Sequence, residues 1–443
     1  MILGERQARK IDEIVSRYVS DNTPGLSLLV GHKGKILLKK GYGLADVEKG
    51  IPLDPDKAFF IASISKQFTT MAIMMLKERG LLNYDEPIGK YFHDFPPYKD
   101  KVTIRHLMTH TSGIPDYFGD KFIEKAHELQ DRLTQDVLLE DIKKYDLEFE
   151  PDTKFSYSNS GYVMLGAIVE KVLGMSFADF LMENIFKPLG MKRTAVGVSP
   201  QRLISNIAMG YDEPEKGHFV RMPIDMATIG WADGNVLSTV EDLFIWHNAL
   251  YTESLVKYET LREAFTAHTL KDGKSTGYGF GWFIDCRRGL KEIWHSGGTV
   301  GYISRFSRFV DEDVAVIMLT NNQSWAGIKR DEIFGQIVDC VLEDKMEPLK
   351  FIKLTGDELK DYEGYYFEKG SVCECDYDNE SEDLKIRCDT PRLKGEYKLN
   401  AIAADHFRFD SPADYYVTFL RQDDIIAGIE LKISGMKFRL RKK

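Results

Sequence analysis

FIASISKQFTTMAIMML, residues 60–76, is the segment that decides the fold of this chain. Its apolar second half predicts a buried helix. If the helix begins at Ser63, Lys66 lies one turn later on the same face, where its amine can approach the Ser63 hydroxyl. The helix start also presents unpaired backbone N–H groups and the positive end of the helix dipole to an oxygen that must become anionic. Because a partly desolvated lysine can take the proton of a serine, the segment predicts a nucleophilic Ser63.

A simpler interpretation stays open for this segment taken alone. Ser-x-x-Lys is a short pattern that also occurs wherever a serine caps a helix and a solvated lysine follows. Here Lys66 is followed by Gln67, Phe68 and two threonines before the apolar run, which places it where a buried segment begins. The rest of the chain decides between the two interpretations.

The pattern around this segment predicts an α+β domain. We expect an amphipathic helix near residues 5–19, then a β-hairpin, a largely helical region over residues 104–250, and further strands before a last helix. The strands are expected at residues 26–30, 36–38, 279–284, 292–295, 304–309 and 314–320, and the last helix at 328–342. Together they predict an antiparallel sheet flanked by helices, with the helical region inserted as a subdomain between the two halves of the sheet.

The character of the sequence changes after Pro348. Eight short strand candidates separated by polar turns follow, at residues 362–367, 372–377, 384–388, 395–399, 406–409, 415–420, 425–433 and 436–440. Such a series is typical of a small up-and-down antiparallel barrel. We therefore predict two domains, residues 1–347 and residues 348–443.

Size and charge exclude several classes of function. The 443 residues allow a large core with an appended module. The formal net charge of -10, with no clustered Lys/Arg face, argues against a nucleic-acid partner. The first residues are charged and lack a secretory apolar stretch, and no apolar run reaches the ~18 residues of a membrane span. We expect a cytoplasmic protein without a membrane partner.

The 5 cysteines are sparse and odd in number, which suits a reducing compartment. Cys373, Cys375 and Cys388 could be combined with His406 into a zinc set, but their spacing is not that of a zinc finger or ribbon. We expect small buried hydrophobic side chains instead. We predict no metal, and the chemistry expected of Ser63 requires no organic cofactor.

Tyr157-Ser158-Asn159 lies in a turn-rich loop before an apolar helix. A phenol near a lysine ammonium ionises more easily, so Tyr157 could act as the general base for Ser63. The Asn159 amide could orient Lys66 or bind a substrate carbonyl. Taken alone, the loop more simply fits an Asx-type turn with a packed tyrosine.

His295-Ser296-Gly297-Gly298 follows the end of an apolar strand. Small residues there let a substrate backbone approach the strand edge. The N–H groups of Gly298 and Ser63 could form a two-donor oxyanion hole, in which one donor is typically worth roughly 3 kcal/mol of barrier. Taken alone, a histidine beside two glycines more simply fits a strand end with a surface imidazole.

In this order along the chain, the three elements resemble the serine penicillin-recognising enzymes: class C β-lactamases, D-alanyl-D-alanine carboxypeptidases, and the related D-aminopeptidases and esterases. Further stretches fit the same family, namely IRHLMTHTSG at 104–113, YSNSGY at 157–162 and LSTVEDL at 237–243. The resemblance covers roughly residues 5 to 345 and favours the functional interpretation of each motif.

The resemblance also implies the roles of the site residues. Ser63 is the acylated nucleophile, Lys66 and Tyr157 share the general acid/base work, and Asn159 positions Lys66 and the substrate amide. His295 takes the first place of the third motif, where β-lactamases usually have the lysine of Lys-Thr-Gly. That lysine is a fixed cation for a substrate carboxylate, whereas a histidine is mostly neutral at pH 7. The His-x-Gly form resembles the D-aminopeptidase and esterase branch.

We therefore expect a serine hydrolase that forms an acyl-enzyme on Ser63 and acts on short peptides or amides, with D-residue peptides ahead of simple esters. One alternative is a carboxylesterase or weak β-lactamase, and another is a catalytically silent scaffold or ligand carrier. The C-terminal module resembles the lipocalin-like barrel appended to some of these peptidases. It could shape the cleft, mediate homo-oligomerisation or bind an apolar ligand, because a fold alone does not define a function.

Overall fold

The structure is a computed structural model that describes residues 3–117, 134–197, 206–224, 231–368 and 370–443. The chain divides into two compact units. The first consists of Met1–Leu3, Ser16–Asp285 and Lys291–Ser324, and the second of Gly4–Val15, Cys286–Leu290 and Trp325–Lys443. The sequence predicts that a separate C-terminal domain begins at residue 348, and this boundary stays a prediction.

A six-stranded antiparallel sheet organises the first unit. Its strand order is Phe283–Arg287, Leu290–Thr299, Tyr302–Phe309, Val314–Thr320, Leu26–His32 and Lys35–Tyr42. The early hairpin therefore pairs with a late strand, and Leu28 lies opposite Met318. Two strands, Tyr302–Phe309 and Val314–Thr320, are buried along their whole length. The α+β prediction of an antiparallel sheet built from two distant parts of the sequence is confirmed.

The helix Lys66–Glu78, which follows directly after Ser63, is buried as predicted. Every residue from Lys66 to Leu76 is buried, and the helix lies against the helix Asn159–Leu173. Its buried amide is satisfied, because Trp246 Nε1 donates to Gln67 Oε1 at 3.0 Å. The helix begins later than expected: Ser63 lies in a preceding 3-10 turn, Ala62–Ser65.

Further short elements complete the first unit. Among the described residues of this unit, the other helices are Ile104–Met108, Gln135–Ile142, Phe177–Leu181, Lys187–Leu189, Val240–Ala249 and Tyr258–Ala264. Single turns of 3-10 or π helix occur at Ile88–Lys90, Pro97–Asp100, Met182–Phe186 and Gln323–Trp325. Short strands pair outside the main sheet: Leu44–Asp46 with Ile51–Pro52, Phe59–Phe60 and Ala195–Val196 with Val236–Ser238, and Tyr211–Glu215 with His218–Arg221.

One strand prediction was wrong. The pattern placed a strand at residues 279–284, but the chain joins the sheet only at Phe283–Arg287. Gly277 and Gly281 adopt positive φ angles of 69° and 78°. A Cβ on Gly281 would lie 2.9 Å from the main-chain oxygen of Lys66. These glycines serve a turn that passes close to the helix Lys66–Glu78, and an apolar pattern does not reveal such a turn.

Eight strands close into a barrel in the second unit, as predicted. They are Gly364–Glu368, Ser371–Asp378, Asp383–Asp389, Lys394–Ala403, His406–Phe409, Tyr416–Gln422, Ile425–Ile433 and Met436–Lys442. The first and last strands pair, with Phe367 opposite Arg441. The helices of this unit are Glu5–Ser16, Ile328–Leu342 and Gly356–Lys360.

The barrel interior is filled by side chains, including Cys373, Cys375 and Cys388. Cys373 and Cys388 lie opposite each other on neighbouring strands, with their sulfur atoms 2.9 Å apart. Burial raises the pKa of the Cys375 thiol, so this side chain stays protonated and packs as a small hydrophobic group.

Candidate active site

Ser63 lies in a tight turn that is held in place by a neighbouring strand. Ala62, just before it, has a φ of 49°, which is strained for a residue with a Cβ. Ser304 Oγ donates to the main-chain oxygen of Ile61 at 2.8 Å and fixes the beginning of the turn. Ser63 itself is half-buried, so its hydroxyl stays accessible.

Lys66 joins three groups of the site. Its side chain is fully buried, and Nζ donates to Ser63 Oγ at 3.0 Å, to Asn159 Oδ1 at 2.8 Å and to the main-chain oxygen of Asp233 at 2.8 Å. An ammonium has three donors, and each of them is used here. These bonds offset the cost of burying the charge.

Tyr157 reaches the same lysine from another loop. Lys66 Nζ lies 5.1 Å from the centroid of the Tyr157 ring, and that ring lies 6.1 Å from the ring of His295. Within the part of the chain that the structure describes, the Tyr157 hydroxyl has no hydrogen-bond partner. The loop is therefore more than a turn with a packed tyrosine, because it carries both Tyr157 and Asn159 to Lys66.

Asn159 is held by Asp116. One Asp116 oxygen accepts from Asn159 N at 2.9 Å and the other from Asn159 Nδ2 at 3.0 Å. With Nδ2 bound in this way, the amide oxygen faces Lys66. The carboxylate also lies at the N-terminus of the helix Asn159–Leu173, where negative charge is favourable and the N-cap Ser158 makes no side-chain hydrogen bond.

Replacing Asp116 by alanine should therefore affect both function and stability. We expect at least a tenfold loss of turnover, because the Asn159 amide loses its orientation. The free energy of unfolding should fall by about 1 kcal/mol through the lost cap. Thr134→Ala is the matched control, since Thr134 Oγ1 caps the helix Gln135–Ile142. If both variants lose stability alike and neither loses turnover, Asp116 is only a cap.

His295 is buried rather than a surface imidazole, with 2% of its surface exposed. Nδ1 lies 2.6 Å from the main-chain oxygen of Ser296, and Nε2 lies 3.1 Å from the Tyr278 hydroxyl. A carbonyl oxygen only accepts, so Nδ1 carries the proton, and in the neutral ring Nε2 accepts from the Tyr278 hydroxyl. A neutral ring satisfies both bonds, and the first place of the third motif therefore offers no fixed cation.

Gly297 packs directly against the turn that carries Ser63. A Cβ at this position would lie 2.2 Å from the main-chain oxygen of Ile61 and 2.5 Å from Ser304 Oγ. Gly298, the next residue of the strand, is exposed. The missing side chain thus lets the strand edge come close to the turn that carries Ser63, as the predicted oxyanion hole of Ser63 and Gly298 requires.

Three histidines of the first unit are held neutral by burial. Burial lowers the pKa of His106 to about 4, and lowers the pKa values of His110 and His247 well below 6.5. The charge of Arg308 adds to the effect on His247. Because the unfolded chain binds protons that the folded chain does not, stability falls as the pH drops below about 6.5.

We expect the free energy of unfolding to fall between pH 6.5 and pH 4.5, with His106 alone contributing on the order of 2 kcal/mol. Most carboxylates titrate below this window. Urea unfolding at several pH values measures the fall. His106→Gln should reduce it, since glutamine at this position can keep the bond to the Thr103 N–H, whereas His218→Gln on the exposed hairpin should not. A constant unfolding free energy over this range contradicts the prediction.

Several residues of this site were not predicted from the sequence. Asp116, Asp233 and Tyr278 each touch a predicted residue, yet they lie far from it along the chain. His110 stands in the stretch 104–113, but no role was assigned to it. Among the described residues, no group of three or more His, Cys, Asp or Glu side chains could hold a metal ion. No helix in the same ranges is long and apolar enough to cross a membrane.

The match to a protein family covers most of the chain. A family model described as Beta-lactamase matches residues 9–335. The chain belongs to this family. Its members include serine hydrolases and penicillin-binding proteins, which confirms the resemblance seen in the sequence motifs.

Relatives of this beta-lactamase-family chain extend the comparison. Penicillin-binding protein 4* of Bacillus subtilis (strain 168) is 32% identical over 407 residues, which cover 86% of this chain and 87% of that protein. The octameric penicillin-binding protein homologue from Pyrococcus abyssi is 26% identical, with a TM-score of 0.66, and covers 98% of this chain and 99% of its own. The D-amino acid amidase from Ochrobactrum anthropi SV3 is 27% identical, with a TM-score of 0.61. The match covers 76% of this chain and 99% of the amidase.

Proposed function

We propose that this beta-lactamase-family chain is an amidase that forms an acyl-enzyme on Ser63 and cleaves short peptides or amino-acid amides, with D-residues preferred. One observation carries the proposal: a fully buried Lys66 lies 3.0 Å from the accessible Ser63 hydroxyl. A buried lysine in hydrogen-bond contact with a serine is the arrangement that an activated nucleophile needs.

In the proposed reaction, Ser63 Oγ attacks the amide carbon, and the proton of Ser63 passes to Tyr157. Lys66 uses all its donors on acceptors, so it holds the Ser63 hydroxyl in place for the attack. The N–H groups of Ser63 and Gly298 bind the developing oxyanion. Tyr157 returns the proton to the leaving amine, and a water molecule then resolves the ester by the reverse sequence.

The histidine at the first place of the third motif, a residue type that is mostly neutral at pH 7, supports a substrate without a carboxylate at that position. A lysine in its place would attract such a carboxylate, whereas His295 uses both ring nitrogens on neutral groups. The related D-amino acid amidase, whose name states its substrate class, agrees with amides as substrates. Simple amides and N-terminal D-residues are therefore favoured over β-lactams and carboxypeptide substrates.

Turnover of four matched substrates tests this proposal: D-alanyl p-nitroanilide, its L-isomer, p-nitrophenyl acetate and nitrocefin. We expect the kcat/KM of the D-anilide to be higher than that of the L-anilide and higher than that of nitrocefin. Ser63→Ala should abolish the turnover of every substrate. Ester cleavage alone would favour a carboxylesterase, and preferred nitrocefin cleavage a β-lactamase. No turnover of any substrate would favour the scaffold or ligand carrier.

We further propose that the chain forms a homo-oligomer. The support is the Pyrococcus abyssi homologue, which is described as octameric and matches nearly the whole chain. Size-exclusion chromatography with light scattering should give a mass that is a multiple of 50.7 kDa. A mass equal to one chain at micromolar concentration contradicts this proposal.

A further inference from the structure

His110 holds the main chain on both sides of Tyr157. The main-chain oxygen of His110 accepts from Ser156 N at 2.9 Å, and its ring Nδ1 accepts from Ser158 N at 3.1 Å. The two N–H groups that flank Tyr157 in the sequence are therefore both bound to the same residue. His110 itself is only 1% exposed.

The His110 ring also supports the Tyr157 ring directly. The two ring centroids are 4.2 Å apart with a tilt of 32°. On another side the ring contacts Tyr278 at 4.7 Å, and Tyr278 hydrogen-bonds to His295. His110 thus contacts the general-base loop and, through Tyr278, the third motif.

Two features of His110 are energetically unfavourable: its backbone conformation and its buried ring nitrogen. Its φ is 57°, a left-handed value that side chains with a Cβ rarely adopt. Its Nε2 is buried and has no hydrogen-bond partner within the described ranges. Strain of this kind persists only where the surroundings impose it, and it concentrates at functional sites. Burial, together with the charge of Lys66, lowers the pKa of His110 well below 6.5, so Nδ1 stays an acceptor at neutral pH.

We infer that His110 is a positioning residue that holds Tyr157 for proton transfer, through its two main-chain bonds and its ring contact. The inference rests on the proposed function, in which Tyr157 moves the proton of Ser63. His110 does not touch the reacting atoms in this account. It acts by fixing where the Tyr157 phenol stands.

Two variants separate the two contacts of the His110 side chain. His110→Asn keeps a side-chain acceptor for the Ser158 N–H and tolerates the left-handed backbone, but it removes the ring. His110→Phe keeps a ring against Tyr157, but it leaves the Ser158 N–H unpaired. His106→Gln, four residues earlier on the helix Ile104–Met108 that ends just before His110, is the control for local folding effects.

Two readouts are measured on the full chain: steady-state kinetics with D-alanyl p-nitroanilide, and hydrogen exchange of the main-chain amides of residues 155–159. We expect kcat to fall about tenfold in His110→Asn and about 100-fold in His110→Phe, with KM within about twofold of wild type. Exchange in residues 155–159 should accelerate in the same order. His106→Gln should change neither readout.

The inference is overturned if both His110 variants keep the wild-type kcat, whatever their exchange. It is also overturned if kcat falls in both variants while exchange in residues 155–159 stays at the wild-type rate, because Tyr157 is then not displaced. If wild type shows no turnover at all, the proposed function fails. In that case unchanged exchange in His110→Phe would overturn the positioning role as well, and accelerated exchange would support it.

Discussion

Replacing Lys66 by alanine is expected to slow the acylation of Ser63 by roughly 10²–10⁴-fold. The variant removes the only side chain that joins Ser63 Oγ, Asn159 Oδ1 and the main-chain oxygen of Asp233 within the described structure. Ser63 loses its hydrogen bond to the buried ammonium, and the ring of Tyr157 loses its contact with Lys66 Nζ. The rate constant for labelling by a fluorophosphonate measures the effect.

Lys77→Ala is the matched control for this variant. Lys77 lies on the same helix, is partly exposed, and forms an ion pair with Glu263 at 3.5 Å. Exposed pairs of this kind contribute little to stability, so the labelling rate of Ser63 should stay at the wild-type value. If Lys66→Ala, folded by circular dichroism, is labelled as fast as wild type, Lys66 takes no part in the chemistry.

Replacing Gly297 by alanine is expected to lower the free energy of unfolding by about 2–3 kcal/mol and turnover by about 100-fold or more. The new Cβ would lie 2.2 Å from the main-chain oxygen of Ile61 and 3.0 Å from the Cβ of Ala62. A main-chain atom cannot move aside as a flexible side chain can, so the turn that carries Ser63 must shift. Urea unfolding and turnover of the preferred substrate measure the two effects.

Gly298→Ala provides the comparison for stability. A Cβ there approaches only the terminal Cδ1 of Ile303, at 3.2 Å, and the residue is exposed. The free energy of unfolding should therefore change by less than about 0.5 kcal/mol. If both glycine variants lower the free energy of unfolding equally, the close packing of Gly297 on the Ser63 turn does not cause the destabilisation.

The sequence predicted those features that depend on residues close together along the chain. Ser63 and Lys66 are three residues apart, so a helical turn suffices to bring them into contact. The eight barrel strands follow from alternating patterns and polar turns, and the structure confirms each of them within a few residues. The family resemblance then grouped the Ser63–Lys66 motif with the motifs of Tyr157 and His295. The structure brings Lys66, Tyr157 and His295 close together.

The features that were not predicted depend on contacts between distant segments. The 3-10 turn at Ser63 is stabilised from outside the segment, by Ser65 Oγ accepting from Val236 N at 3.1 Å. Asp116 lies 43 positions from Asn159, and its effect on the amide follows only from the folded loop. Neither contact leaves a periodic pattern in the sequence, because each involves a single side chain at one place.

The most direct test of the account is the intact mass of wild type and Ser63→Ala after incubation with a penicillin and, separately, with a fluorophosphonate, from neutral to alkaline pH. The account predicts a stoichiometric adduct of the fluorophosphonate on wild type and none on Ser63→Ala. A weaker or absent penicillin adduct agrees with a neutral His295. If folded wild type forms no adduct with either reagent at any pH, or if Ser63→Ala is labelled equally, Ser63 is not the nucleophile and the account is contradicted.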